Sequence, residues 1–408
     1  MKTRRGKRLV CFLTALLLLI SCGYHATVQT GYAEENLTVP ERTWDLEAPA
    51  LELQSASYVL MEGSTGTVLY EKNMHEVLPP ASITKIMTLL LIYEALEAER
   101  IVMGDIVTVS DHAASMGGSQ VFLEVGETQT VETMIKCISI ASANDACVAM
   151  AEHLAGSEEA FVKQMNEKAK QLGMNDTVFV NCCGLDVDGH VSSAYDVALM
   201  SRELITRFPE ISTYATTWMD TIIHTTRNGQ SSFGLTNTNK LVKQYQGITG
   251  LKTGSTAKAK YCLSATANRN EIDMIAVIMA APETKIRFQE AAKLLNYGFA
   301  NCEKYVDTHE DFPETKIPIT GGVADTVTVV PKEAFTHLFL HGESKDGIEE
   351  KVSFYEKVRA PIEKGAELGL VTYYQNGKEL GFVPLVATEE VKKATYIDYL
   401  RKVLNMLT

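Results

Sequence analysis

The stretch ASITKIMTLLLI at residues 81–92 joins a hydroxyl-rich turn to an apolar run. Its apolar side chains continue to Leu96 at mostly three- and four-residue spacing, which predicts a buried helix. Ser82 lies at the start of that helix, just after Pro79 and Pro80, and prolines end the preceding segment. The rest of the fold is therefore predicted outward from a helix that carries a serine in its first turn.

Strand patterns lie on both sides of this helix. Alternation in residues 58–61 and 67–70, around a turn with two glycines, predicts a β-hairpin before it. After it, helices are expected at 131–154, 158–172 and 195–207, and strands at 250–255, 261–267 and 274–279. Strands at both ends of a helical middle predict one α/β (α+β) domain, in which helices flank a sheet shared by the terminal segments.

The pattern changes at about Glu303, where short alternating runs are separated by Gly and Pro and predict a small β-rich C-terminal domain. Thr388 is a candidate N-cap for a final amphipathic helix. Its stripe of Ile397, Leu400, Leu404 and Leu407 can lie in a membrane interface or pack on its own domain, and both alternatives stay open. The predicted boundaries are 54–302 for the α/β domain, 303–388 for the β-rich domain and 389–408 for the helix.

The first 33 residues indicate export. A basic start precedes an apolar run from Leu9 to Ile20, which suits a secretory signal and is too short to span a bilayer comfortably. Cleavage can follow a lipobox, which would leave a lipid on Cys22, or a small-residue site that ends at Ala33. A polar tether at 34–53 follows. The protein is therefore expected at the outer face of the cytoplasmic membrane or in the cell wall.

Composition excludes several classes of protein. The 408 residues are 46% apolar and 22% charged, which excludes a disordered or fibrous chain. A formal charge of −13 excludes nucleic acid as a partner. Because no Cys-x-x-Cys and no histidine pair completes a ligand pattern, no metal or cofactor is expected. Most cysteines are expected to be buried thiols, although the adjacent pair Cys182-Cys183 has no explanation.

Ser82 and Lys85 lie three residues apart at the helix start, so both side chains project from one face, one turn apart. A lysine desolvated beside a serine at the positive end of a helix loses part of its preference for the proton. Lys85 can then serve as general base for the Ser82 hydroxyl. The motif S-x-x-K is weak alone, and a second copy at Ser255–Lys258 lacks the apolar helix that follows Ser82.

Two further motifs make the first one specific. Ser142-Ala143-Asn144 offers a second hydroxyl for proton relay and an amide that both donates and accepts. Lys252-Thr253-Gly254 offers a cation, a hydroxyl suited to a carboxylate, and a glycine that leaves room for an extended substrate. S-x-x-K, S-x-N and K-T-G in this order are the motif set of penicillin-binding proteins and class A β-lactamases.

The chain resembles a D-alanyl-D-alanine carboxypeptidase, a serine-type penicillin-binding protein of low molecular mass. Matching residues run through nearly the whole mature chain and include 112–119, Asn181, Gly184-Leu185, His190, Asp196, 250–254, 295–299 and 360–365. The resemblance implies a β-lactamase/transpeptidase-like catalytic domain with a β-rich C-terminal domain and a membrane-associating tail. Ala143 replaces the glycine usual in the family, and Cys182-Cys183 replace a pair that commonly contains proline.

The resemblance also implies a reaction. Ser82 would attack the penultimate D-Ala carbonyl of a peptidoglycan stem peptide and expel the terminal D-Ala, and water would release the shortened peptide. Lys85 would be the base, Ser142 would pass the proton to the leaving amine, and Asn144 would hold the substrate amide and Lys85. β-Lactam antibiotics would acylate the same serine.

The third motif would bind the substrate end. Lys252 would set the local potential, and Thr253 would take the terminal carboxylate beside Gly254. The backbone N–H groups of Ser82 and Ser255 would form the oxyanion hole, each contributing about 3 to 4 kcal/mol to the transition state.

Other functions compete with this one. A class A β-lactamase deacylates through the glutamate of an E-x-x-L-N segment between the second and third motifs, and none lies there; Glu290–Asn296 has neither the spacing nor the order. A penicillin sensor that is acylated once without turnover would carry the same three motifs and stays open. A zinc-dependent peptidase is dismissed because its ligands are missing.

Overall fold

The computed structural model describes residues 51–227, 229–340 and 343–407. The predicted signal peptide, both cleavage sites and all but the last three residues of the tether lie outside these ranges.

The described chain contains sixteen strands and ten helices. The strands are β1 Ser57–Glu62, β2 Val68–Lys72, β3 Ile106–Thr108, β4 Thr128–Thr130, β5 Met219–Thr226, β6 Gly229–Thr236, β7 Ile248–Thr256, β8 Lys260–Arg269, β9 Ile272–Ala281, β10 Cys302–Asp307, β11 Thr315–Pro318, β12 Thr326–Pro331, β13 Phe335–Leu340, β14 Ile348–Phe354, β15 Glu367–Gln375 and β16 Lys378–Ala387. The helices are α1 Lys85–Glu97, α2 Asp111–Ala114, α3 Val131–Ile140, α4 Asn144–Ala155, α5 Glu158–Gln171, α6 Ala194–Arg207, α7 Ile211–Ala215, α8 Leu241–Gln244, α9 Thr284–Asn301 and α10 Tyr396–Leu407, and a 3₁₀ turn, Ala81–Thr84, leads into α1.

A five-stranded antiparallel sheet in the order β2-β1-β9-β8-β7 organises the first part of the chain. The hairpin β1–β2 joins the late strands because β1 pairs with β9 along its whole length, from Ser57 opposite Met279 to Glu62 opposite Met274. The prediction that the terminal segments share one sheet is therefore confirmed.

The sheet is covered on both faces. Alternate residues of β1 point to opposite sides: Val59 and Met61 pack in the core around α1, while Tyr58 and Leu60 pack in the core under α9. α1 is buried nearly all round, as expected for an apolar helix at the centre of a domain. The predicted fold class, a sheet flanked by helices, is confirmed.

The helical stretch predicted at 131–154 consists of two helices, because the chain breaks between α3 and α4. Ser142 adopts a left-handed backbone with φ of 61°, and Ala143 is extended. α4 then begins at Asn144. The S-x-N motif is this break, so the motif itself interrupts the helix.

The second part of the chain is the predicted β-rich region. Its main sheet has the order β11-β12-β16-β15-β14, and β10 pairs separately with β13. One apolar core, with Val329, Val371 and Leu385 at its centre, lies inside these strands.

The final helix starts later than predicted, at Tyr396, and Thr388 does not cap it. The backbone N–H and the hydroxyl of Thr388 donate to the Thr328 carbonyl, and Val391 forms a bridge with Ile362. The segment after β16 therefore completes the β-rich region. Thr395 makes the capping contacts instead: its backbone N–H donates to the Asp398 carboxylate at 2.8 Å. None of the helices in the described ranges has the length and apolar character needed to cross a bilayer.

Candidate active site

Ser82 and Lys85 meet where the 3₁₀ turn becomes α1. The Lys85 amine Nζ donates to the Ser82 hydroxyl at 3.0 Å. It also donates to the Asn144 side-chain oxygen at 2.6 Å and to the Cys183 carbonyl at 2.7 Å. Lys85 is fully buried, and these three oxygens are its hydrogen-bond partners. The structure thus brings together the first motif and the asparagine of the second.

The three partners of Lys85 differ in what they can do. The Asn144 amide oxygen and the Cys183 carbonyl only accept hydrogen bonds, whereas the Ser82 hydroxyl can also donate. When the amine is neutral it keeps two N–H groups, and the two acceptor-only oxygens require both of them. The nitrogen lone pair is then left facing the Ser82 hydroxyl, which is the orientation that proton abstraction needs.

Asn144 is held from its other side by the chain at residues 117–119. Its side-chain NH₂ donates to the Gly117 carbonyl at 2.7 Å, and its backbone N–H donates to the Ser119 carbonyl. Gly118 has φ of 82°, and a Cβ there would lie 2.9 Å from the Asn144 amide nitrogen. Ser142 lies two residues before Asn144, buried at the helix break.

The third motif lies on β7 beside the nucleophile turn. Lys252 is fully buried, and its amine donates to the Thr253 carbonyl at 3.1 Å. Burial, and then the charge of Lys85, lowers the pKa of Lys252 well below its usual value. The Thr253 hydroxyl pairs with that of Thr238 at 2.6 Å, and Ser255 is exposed next along the strand.

Gly254 has a reason for being glycine that the sequence did not indicate. A Cβ at Gly254 would lie 2.9 Å from the Pro80 carbonyl and 3.0 Å from the Ser82 nitrogen. The missing side chain therefore lets β7 lie against the turn that carries Ser82. The close approach of Gly254 to the Ser82 turn shows that the first and third motifs lie side by side.

Other residues support the site but were not singled out from the sequence. The buried Arg287 on α9 donates to the Gly254 and Cys262 carbonyls at 2.9 and 3.2 Å, and burial lowers its pKa. Its place in the apolar stripe of α9, with Phe288 and Ala291, was a signal that could have been used. The carbonyl of Cys183 could not have been found, because any residue supplies a carbonyl.

The other residues considered from the sequence, Lys258, Glu290 and the cysteines, make contacts that stabilise the fold or lie at its surface. Lys258, the end of the second S-x-x-K copy, is an exposed partner of Asp188 at 3.1 Å. The buried Glu290 carboxylate accepts from the backbone N–H groups of Gln54 and Ser55, so it anchors the start of the fold. The six cysteines in the described ranges are free thiols, and five are buried, as predicted. These ranges contain no cluster of three or more potential metal ligands.

Comparison with known proteins agrees with this geometry. The family profile described as D-alanyl-D-alanine carboxypeptidase matches residues 44–283, and the profile of the penicillin-binding protein 5 C-terminal domain matches residues 308–393. The D-alanyl-D-alanine carboxypeptidase DacF of Bacillus subtilis is 43% identical over 86% of this chain and 90% of its own length.

Solved structures give the same result. Penicillin-binding protein 5 of Haemophilus influenzae superposes with a TM-score of 0.70 at 28% identity, covering 85% of this chain and all of the other. Penicillin-binding protein D2 of Listeria monocytogenes, solved in an ampicillin-bound form, has a TM-score of 0.54 at 33% identity and covers 62% of this chain and all of its own. The chain belongs to the D-alanyl-D-alanine carboxypeptidase family of serine peptidases.

Proposed function

We propose that this protein removes the terminal D-Ala from peptidoglycan stem pentapeptides through an acyl-enzyme on Ser82. The observation that carries the proposal is the Lys85 amine, which is 3.0 Å from the Ser82 hydroxyl and held by two acceptor-only oxygens. Lys85 takes the hydroxyl proton as the serine oxygen attacks the penultimate D-Ala carbonyl. The peptide bond breaks, and the leaving amine of D-Ala receives a proton through Ser142.

The second half of the reaction restores the enzyme. A water molecule attacks the ester on Ser82, and the shortened peptide leaves with a new carboxylate. Asn144 keeps Lys85 in place throughout because it bridges the Lys85 amine and the Gly117 carbonyl.

Lys252 and Thr253 form the binding site for the terminal carboxylate of the substrate in this proposal. Two buried basic side chains, Lys252 and Arg287, lie at this end of β7, and in their protonated forms they would attract the carboxylate. Gly254 and Ser255 continue the strand past the nucleophile, so the backbone N–H groups of Ser82 and Ser255 supply the oxyanion hole. A penicillin carries a reactive carbonyl in its β-lactam ring and a carboxylate on the fused ring, so it would react at the same place.

The assignment of the nucleophile is tested by Ser82→Ala, with Ser255→Ala as the control from the second S-x-x-K copy. After incubation with a fluorescent penicillin and denaturing electrophoresis, we expect the label on the wild type and on Ser255→Ala. Ser82→Ala should carry no label. A labelled Ser82→Ala protein would overturn the assignment.

Turnover separates a carboxypeptidase from the alternatives. We expect continuous release of free D-Ala from a stem pentapeptide, measured with a D-amino-acid oxidase assay, and slow release of bound penicillin. Stable acylation with no D-Ala from any pentapeptide would favour a penicillin sensor. Rapid hydrolysis of penicillin would favour a β-lactamase.

Membrane attachment through α10 is a further part of the proposal. The helix exposes Ile397, Leu400 and Leu404, while Lys402 is tied to the β-rich region through the Gly322 carbonyl at 3.0 Å. An exposed apolar stripe on a tethered helix suits the surface of the cytoplasmic membrane, on its outer face. Truncation after Thr395 spares the bridge of Val391 and should release the protein from vesicles. If a precursor truncated at the same position stays on membranes in cells, the helix is structural or a lipid on Cys22 is the anchor.

The proposed domain boundaries are those predicted from the sequence: 54–302, 303–388 and 389–408. The end of α9 at Asn301 and the start of β10 at Cys302 support the first boundary. The start of α10 at Tyr396 argues for moving the last one.

A further inference from the structure

The loop that holds Asn144 also carries an exposed phenylalanine in an unfavourable backbone conformation. Phe122 has φ of 62°, and 62% of it is exposed. Bulky residues rarely adopt positive φ, and such strained positions persist only where the surroundings fix them.

A buried carboxylate fixes Phe122. Asp145 accepts from the backbone N–H groups of Val121 and Leu123, the two neighbours of Phe122, both at 3.1 Å. With both neighbours bound inward and their side chains buried, the intervening side chain is turned outward. The ring contacts Phe233 on β6 edge to face, with 5.9 Å between the ring centroids. Asp145 directly follows Asn144, so one helix start positions both the active site and this aromatic pair.

Both phenylalanines lie on chain segments that also lead to residues of the active site. Phe122 lies three residues beyond Ser119, so the two residues are at most roughly 11 Å apart. The Ser119 carbonyl accepts from the backbone N–H of Asn144. Phe233 lies on the hairpin β5–β6, which leads to Thr238 and its contact with Thr253.

We propose that Phe122 and Phe233 form an accessory site for the sugar of the peptidoglycan strand to which the stem peptide is attached. This inference rests on the proposed function. Four stem residues before the scissile bond span at most roughly 14 Å, and Phe122 lies at most roughly 11 Å from Ser119, so the sugar at the start of the stem can reach the ring. An aromatic face attracts the C–H groups of an uncharged sugar ring, whereas a protein with a net charge of −13 gains nothing from an anionic polymer.

The test uses Phe122→Asn, because asparagine tolerates positive φ and preserves the loop while removing the ring. Phe122→Trp keeps an aromatic surface, and Phe354→Asn removes an exposed phenylalanine from β14, away from the cleft. The measurement is kcat/KM for D-Ala release from a disaccharide-pentapeptide, divided by kcat/KM for the same pentapeptide without sugar. The acylation rate with benzylpenicillin monitors the active site.

We expect Phe122→Asn to lower this ratio about fivefold, and Phe122→Trp and Phe354→Asn to leave it within about twofold. An unchanged ratio in Phe122→Asn would overturn the inference, as would an equal loss on both substrates or on penicillin, since the ring would then act on the peptide or on the loop. If the wild type releases D-Ala from neither substrate, the proposed function fails instead, and the two failures are distinguishable.

Discussion

The catalytic region, Leu51–Asn301, and the β-rich region, Cys302–Val391, bury different kinds of side chain. Tyrosine aside, every polar or charged residue that is buried within the described ranges lies between Ser55 and Glu290. They include Lys85, Asp145 and Lys252. The core of the β-rich region is aliphatic and aromatic.

The difference shows which region carries chemistry. A buried charge is unfavourable unless hydrogen bonds compensate it, so a fold stabilised only by packing would avoid one. Some of the charges buried in the catalytic region hold the active site: Lys85 contacts Ser82, and Asp145 holds the loop beside Asn144. Within its described residues, the β-rich region supplies none of the hydrogen-bond partners of Lys85. We therefore expect changes near Ser82 to affect stability and acylation together, and changes in the β-rich region to affect stability alone.

The largest effect is predicted for Gly184→Ala. Gly184 has φ of 88°, and a Cβ there would lie 1.9 Å from the Ala81 carbonyl oxygen and 2.9 Å from the Ser82 nitrogen. Because the clash is with backbone, the loop and the nucleophile turn must separate. We expect a loss of more than about 4 kcal/mol in the free energy of unfolding and at least a hundredfold slower acylation by penicillin.

Gly189→Ala is the matched control. Gly189 lies in the same loop with φ of 84°, but nothing lies within 4 Å of its Cβ position. It should lose only about 1 to 2 kcal/mol, from backbone strain, and keep its acylation rate. Equal losses for the two variants would show that strain, not contact with the Ser82 turn, is what Gly184 avoids.

Much of the fold was predictable because its signals are local. Hydrophobic periodicity predicted the hairpin, α1 and the strands β7 to β9. The pairing of β1 with β9 in the structure confirmed that these strands share one sheet. The break in the 131–154 stretch and the wrong prediction of a Thr388 cap both concern helix ends, and tertiary contacts decide where a helix ends. Thr388 has the residue type of a cap, but the Thr328 carbonyl takes its N–H.

The candidate site was predictable in its side chains but not in its backbone groups. The first two motifs pointed to Ser82, Lys85 and Asn144, because their chemistry depends on residue type. The Cys183 carbonyl that orients Lys85 has no sequence signal. Both residues of the cysteine pair contact α1 through their backbone carbonyls. The Cys183 carbonyl accepts from Lys85, and the Cys182 carbonyl accepts from the Thr88 hydroxyl at 2.6 Å.

A smaller effect is predicted for the pH dependence of His190. Its Nδ1 accepts from the Val180 N–H at 2.9 Å, so Nε2 carries the proton and donates to the Thr84 hydroxyl at 2.8 Å. Burial lowers the pKa of His190 from 6.5 to about 4. Between these values the unfolded chain binds a proton that the folded protein does not. The free energy of unfolding therefore falls as pH decreases through this window, by about 2 to 3 kcal/mol.

His190→Gln isolates this contribution, because glutamine does not titrate and the carboxylates titrate in both proteins. The free energy of unfolding in urea is compared at pH 7 and pH 4.5 for the two proteins. Wild type should lose about 2 to 3 kcal/mol more than the variant over this interval. If the difference between the proteins is the same at both pH values, His190 is not the group that makes the catalytic region sensitive to acid.

The smallest effect is predicted for Tyr373→Phe in the β-rich region, where it tests the other side of the comparison. The buried Tyr373 hydroxyl donates to the Asp307 carboxylate at 2.5 Å, and its ring stacks on Phe335 with 3.7 Å between centroids. Phenylalanine keeps the stack and removes the hydrogen bond, so the free energy of unfolding should fall by about 1 to 2 kcal/mol. Tyr374 lies on the opposite face of β15. Tyr374→Phe should lower the free energy of unfolding by less than about 0.5 kcal/mol. Both variants should be acylated by penicillin at the wild-type rate. Slower acylation of Tyr373→Phe would mean that the β-rich region also positions Ser82, and the division between the two regions would be wrong.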